Sequence, residues 1–224
     1  NQSGGCPWCV VENVTFQGNV VRNVAGGISI SGYDSPNPSL QTRGITIRHN
    51  LFYRVTTAFG GTGWFLLIGD EPRDIVVDHN TIDADGTSVV YAYGGTSGSP
   101  RQILGFQFTN NAARHNAYGI AGANSSPGIP TLTAYFPNAV VAGNWLQGGS
   151  AAKYPAGNYF SGTFDEAFID IVAGDYQAAT GSVLTGRATD GVDIGADVPG
   201  VRQQTSAVAG GTVLSGPSNL RIVR

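Results

Sequence analysis

The sequence predicts an all-β solenoid in which the chain winds as a parallel β-helix. Three observations lead there. Hexapeptides ending in asparagine recur as VTFQGN, ITIRHN, IVVDHN, FQFTNN and AVVAGN, placing Asn19, Asn50, Asn80, Asn111 and Asn144 about 30 residues apart. Each hexapeptide alternates inward and outward positions with the two-residue period of a strand. Glycine, at 33 of 224 residues, is roughly twice its usual share, while only 12% of residues are charged. That balance favours short strands joined by turns. One lysine (Lys153) and no methionine leave few helix formers.

The elements follow in chain order. CPWC (Cys6 to Cys9) has no second pair, and the strand-like VVENVTF follows it. The two cysteines therefore read as a local disulfide or as two partly buried thiols; redox or zinc chemistry needs a different context. Counting back from each asparagine, Val14, Ile45, Ile75, Phe106 and Ala139 form one inward column. Phe16, Ile47, Val77, Phe108 and Val141 form a second. Thr15, Thr46, Val76, Gln107 and Val140 face outward, as do Gln17, Arg48, Asp78, Thr109 and Ala142. The asparagines themselves stack as a ladder inside a bend, each amide donating to one neighbour and accepting from the other. A second strand per coil lies in GISISG, WFLLIG, SVVYAYG and YGIAG, each followed by a loop rich in Pro, Gly, Ser or Asp, and each unit has room for a further short strand. One coil cannot bury its own apolar face, so several must stack.

Regular coils span residues 10–150, with closing coils and a cap over 151–198, so that 1–198 is one β-helix domain. The cap is expected because an open last coil would expose unpaired strand edges. TFDEAFIDI suits a short helix or strand. Residues 199–224, rich in Gly, Ser and Ala, read as a linker or extended tail. The ending PSNLRIVR resembles the first strand of a fibronectin type III module. NQSGGCPWC leaves little room for an N-terminal cap, so upstream coils or a stacked neighbouring chain are expected there.

A net charge of −3 and the lack of a basic stripe argue against a nucleic-acid partner. No apolar run is long enough to span a membrane as a helix.

The asparagine-punctuated coils, GDEPRDIVVDHNTI and the late DYQAATGSVLTGRATDGVDIGADV resemble bacterial secreted right-handed parallel β-helix proteins of the pectate-lyase-like superfamily, over residues 6–198. The resemblance implies a secreted or cell-surface location and, in many relatives, cleavage of acidic polysaccharides. The Asn-Thr-Asp, Asp-Asp, His-Gly and Arg-x-Lys motifs of polygalacturonase-like hydrolases are missing. Calcium-dependent pectate lyases need clustered carboxylates and a basic residue, to which IVVDHN bears a faint likeness.

The strongest cluster for chemistry is GDEPRD: Asp70, Glu71, Arg73 and Asp74, with Asp78 four residues on and Arg48 beside it in the adjacent, preceding coil. These are candidate catalytic groups, and Asp70, Glu71 and Asp74 are candidate calcium ligands. The same residues also suit a solvated turn, and Arg48 with Asp78 suits a cross-coil ion pair. His49 and His79 stack in register, for structure or as a metal or acid–base pair; His115 is out of phase. Tyr33, Trp64, Tyr91 and Tyr93, with Tyr53 and Trp145, are candidate sugar platforms or core residues. Asp190, Asp193 and Asp197 suit turns better than calcium. Asn13 and Asn124 fit the glycosylation pattern.

Two functions are therefore expected. One is extracellular binding or processing of a polysaccharide along the solenoid. The other is a structural or adhesive module that self-associates end to end or joins neighbouring domains of a larger protein.

Overall fold

The structure is a computed structural model and describes residues 4–34, 37 and 39–209. It is a parallel β-solenoid. Coil one holds β1 (Glu12–Gln17), β2 (Val20–Val24) and β3 (Ile28–Ser31); coil two holds β4 (Arg43–Arg48), β5 (Leu51–Val55) and β6 (Leu66–Gly69). Coil three holds β7 (Arg73–Asp78), β8 (Thr81–Ala84) and β9 (Ser88–Tyr93), then a small hairpin of β10 (Gly95–Thr96) and β11 (Ser99–Pro100). Coil four holds β12 (Gln107–Thr109), β13 (Ala112–Arg114) and β14 (Gly119–Gly122), followed by α1 (Ile129–Tyr135). The last turn holds β15 (Val140–Ala142) and β16 (Trp145–Gln147).

Like strands pair in parallel along the axis. The sheets run β1-β4-β7-β12-β15, β2-β5-β8-β13-β16 and β3-β6-β9-β14. Val14 pairs with Ile45, Ile45 with Ile75, and Phe108 with Val77 and Val141. The inward columns are thus in register, and Ile47, Ile75, Val77, Phe106 and Phe108 are buried.

A bend separates the first sheet from the second. Its residue before the asparagine is Gly18, His49, His79, Asn110 or Gly143, and all five have positive φ, from 48° to 70°. Glycine and asparagine adopt that conformation at little cost; histidine does so less readily. The asparagines then form the expected ladder. Nδ2 of each donates to Oδ1 of the next at 2.9–3.0 Å, from Asn19 through Asn50, Asn80 and Asn111 to Asn144. The ladder has a sixth rung that the spacing missed: Asn144 donates to Asn158 at 2.9 Å, only 14 residues on. The chain crosses the end of the solenoid there, with Tyr159 bridging Trp145.

Beyond that crossing the chain turns back. A hairpin of β17 (Phe168–Asp170) and β18 (Asp175–Ala178), then the segment to Val198, lies on the outer face of the second sheet. That face presents Leu51, Thr81, Ala112 and Trp145 in register. Phe164, Phe168, Tyr176, Leu184 and Ile194 cover it as a second core. Leu51, Thr81, Ala112 and Trp145 are thus buried on the outer side, as Phe52, Ile82, Ala113 and Leu146 are on the inner. The Ala196 amide donates to Thr81 Oγ1 at 3.0 Å and the Thr189 amide to Asn110 Oδ1 at 2.8 Å, fixing the wrap to the bend.

Two segments differ from expectation. The loop after YGIAG contains α1, with a proline in its first turn, which packs Leu132 and Tyr135 into the main core. The tail from residue 199 begins as α2 (Val198–Ala209), a helix rather than an extended stretch. Residues 210–224, including PSNLRIVR, lie outside the described residues. No helix is long and apolar enough to cross a membrane among the described residues. Cys6 and Cys9 are joined in a disulfide.

Candidate functional site

The third sheet carries a ridge of half-buried aromatic rings. In β9 the side chains of Tyr91 and Tyr93 alternate with buried Val90 and Ala92, so both rings face outward. Trp64 comes from the loop before β6 and stacks on Tyr91, with ring centres 4.2 Å apart and planes 14° from parallel. Its indole Nε1 donates to Thr87 Oγ1 at 3.2 Å. Tyr93 lies over Gly69, its register partner, where a Cβ would come within 2.6 Å of the ring. In coil four Tyr91 is matched by Ala121, a side chain too small to extend the stack. Tyr33 lies apart from these rings, half-buried in a cleft of about 580 Å³ with Glu71 and Arg101.

The GDEPRD residues border this ridge but do not converge. Asp70, Glu71 and Asp74 all have left-handed backbones, which turn successive side chains in different directions. Asp70 pairs with Arg101 at 3.1 Å. The carbonyl of Glu71 accepts from Gln41 at 2.6 Å. Arg73 is exposed beside Arg43, which is itself paired with Glu12 at 2.6 Å. No group of three or more His, Cys, Asp or Glu side chains is placed to hold a metal among the described residues. The candidate calcium ligands Asp70, Glu71 and Asp74 therefore do not form such a group.

The expected Arg48–Asp78 ion pair is also not made, although the two are register partners. Arg48 Nε donates to Gln17 at 2.8 Å. Asp78 turns instead toward coil four, accepting from Thr109 Oγ1 at 2.6 Å and Asn110 Nδ2 at 3.0 Å. His79 Nδ1 is 3.0 Å from its other oxygen. Burial opposes ionisation of Asp78, but these hydrogen bonds outweigh it and hold its pKa below the usual aspartate value.

His49 and His79 do stack, with ring centres 5.0 Å apart. They floor a cleft of about 520 Å³ under the C-terminal wrap. Burial, then the neighbouring His79, pushes the pKa of His49 down. His115 has a structural place: its Nδ1 meets the carbonyl of Asn116 at 2.8 Å and its Nε2 the Tyr154 hydroxyl at 2.9 Å. Burial lowers its pKa as well, and pushes that of Tyr154 up to about 12.

Trp145 is fully buried against Phe164, so it is core and not platform. Tyr53 packs on Tyr176 under the wrap. Arg101, Arg114, Asp83 and Tyr176 escaped the sequence reading, because each meets its partner only through the fold. Arg114 binds Asp83 at 2.7 Å and Asp165 at 2.9 Å and lies 4.0 Å over the Phe164 ring. The Tyr176 hydroxyl donates to Asp83 at 2.6 Å.

No known family, curated protein or solved structure matches the chain.

Proposed function

We propose that this protein is an extracellular glycan-binding β-solenoid, with the Trp64–Tyr91–Tyr93 ridge as its platform. The observation that carries the reading is the stacked, half-exposed Trp64–Tyr91 pair. Aromatic rings outside a core are held in place here at some cost in exposed apolar area, and a pyranose offers the flat C–H face that would cover them. Asp70, Arg101 and Thr87 supply hydrogen-bonding groups along the ridge. The Cys6–Cys9 disulfide supports an oxidising location. Binding is preferred over cleavage, because glycoside hydrolysis needs two facing carboxylates and Asp70 and Asp78 are each committed to other partners.

Affinity electrophoresis against a panel of neutral, acidic and amino polysaccharides tests this. At least one should retard the protein, and Trp64→Ala with Tyr91→Ala should abolish the retardation. Unchanged mobility in every gel removes the proposal.

A second reading, end-to-end stacking, is favoured by coil one. Its strands are the outer edges of all three sheets. Val14, inward in the repeat, is 42% exposed there, and Phe16, Ile28 and Ile30 line an apolar opening of about 320 Å³. Sedimentation velocity across a concentration series tests it: a single monomeric boundary throughout rules out self-stacking.

A further inference from the structure

The cleft at the histidine bend is built from distant parts of the chain. His49 and His79 come from coils two and three, Tyr176 and Gln177 from β18, and Asp193 and Asp197 from the final wrap. Histidine is not the cheap residue for this left-handed bend, where neighbouring coils use glycine or asparagine. His79 is only 3% exposed. In the neutral ring, Nδ1–H donates to Asp78, so Nε2 presents a lone pair. That Nε2 is buried and has no hydrogen-bond partner, and Nδ1 of His49 shares this condition.

The surroundings define what would satisfy Nε2. Asp190 Oδ2 lies 3.6 Å away at the side of the cleft, beyond hydrogen-bond reach. With the ring neutral, both are acceptors, and no protein donor lies between them. Asp193 and Asp197 add negative charge to the cleft lining, which contains no lysine or arginine. The nearby Arg48 is tied to Gln17. An anionic sugar or phosphate would meet like charge here. A positively charged N–H donor would satisfy His79 and Asp190 together, with the Tyr176 side chain as an apolar wall.

We propose that this cleft binds a small organic ammonium, of the size and polarity of a protonated amino sugar. It is a second site, independent of the aromatic ridge.

The test is an NMR titration of the full chain carrying Trp64→Ala and Tyr91→Ala, which removes the ridge. Glucosamine, glucose and glucuronate are the probes. Glucosamine should bind saturably at neutral pH, at least about tenfold more tightly than glucose, with glucuronate weakest. His79→Asn keeps a residue the left-handed bend accepts, and Asp190→Asn keeps the oxygen that accepts from the Val192 amide. Each should weaken glucosamine binding about three- to tenfold, the effect of losing one charge-assisted contact. Equal binding of glucosamine and glucose overturns the proposal, as does glucosamine binding that neither substitution alters. Because the exposed Asp190 variant leaves the bend intact, the test stands even if His79→Asn fails to fold.

Discussion

Asn80 donates its side-chain amide to Oδ1 of Asn111 at 2.9 Å, and the same oxygen accepts the Asn80 backbone amide at 2.9 Å. One oxygen thus satisfies two donors of the preceding coil, in a bend that is closed to water. Asn80 also donates to the carbonyls of Ile47 and Asp78, and its Oδ1 serves Asn50 in turn. Replacing it with alanine strands several buried polar groups, each worth roughly 1–3 kcal/mol. Asn80→Ala should cost about 4 kcal/mol in urea denaturation. Asn19 is half-buried on the end rung, so Asn19→Ala should cost about 1 kcal/mol or less. Equal losses at the two positions would contradict the ladder as a load shared along the axis.

The network on Asp78 predicts behaviour in acid. Its folded pKa is depressed, so its stabilising contribution is complete above the unfolded value of about 3.9 and fades as pH falls through the folded value. Asp78→Asn lacks that titration. The stability gap between wild type and variant, measured by thermal unfolding, should be constant at neutral pH and shrink below about pH 4. A gap that does not change in acid would mean that Asp78 is not ionised by its partners.

Most of the solenoid was legible in the sequence because strand and rung repeat together. Val14, Ile45 and Ile75 fall in one register because a slip of one residue would turn every inward side chain to solvent. The sixth rung was harder to find. Asn158 follows Asn144 after a shortened turn, and only the echo of VAGN (141–144) in PAGN (155–158) marks it. The covered second sheet also has a trace in the sequence. In every coil two residues follow the asparagine, and both faces they occupy are largely apolar: Leu51 with Phe52, Ala112 with Ala113, Trp145 with Leu146. A strand with one face in water would alternate.

The chemistry was less legible. Register placed Arg48 beside Asp78 and His49 beside His79 correctly. Register cannot say which of several neighbours a charged group chooses, and Asp78 found closer donors in Thr109 and Asn110. The wrap brings Asp190 to 3.6 Å from His79, a proximity with no local signature.

His49 predicts a second pH effect of the same direction but in another range. Burial and His79 depress its pKa, so the unfolded chain takes up a proton before the folded one does. Stability is therefore lost as pH falls through the unfolded value of about 6.5. His115, depressed by its own burial, adds to the loss. His49→Asn fits the left-handed bend and removes one of the two. Its stability should decline less steeply than wild type between about pH 7 and about pH 5, in equilibrium unfolding at each pH. Identical slopes would show that His49 does not titrate with folding.

Arg114 holds the wrap against the solenoid. Its guanidinium joins Asp83 on the second sheet to Asp165 on the wrap and covers Phe164. Burial alone would lower its pKa, but the bonds to Asp83 and Asp165 raise it, so the charge is retained. Tyr176 shares Asp83, and burial followed by that hydrogen bond pushes its pKa up. Arg114→Met keeps the apolar contact on Phe164 but leaves Asp83 with only the Tyr176 hydroxyl. The expected loss is about 2 kcal/mol, that of a charge-assisted bond with a partly buried partner. The loss should be local. Limited proteolysis should cut first within residues 164–198, while the coils stay protected, since their own core does not depend on the wrap. Because the wrap also roofs the histidine cleft, the same variant should weaken glucosamine binding there and leave glycan binding at Trp64 and Tyr91 unchanged.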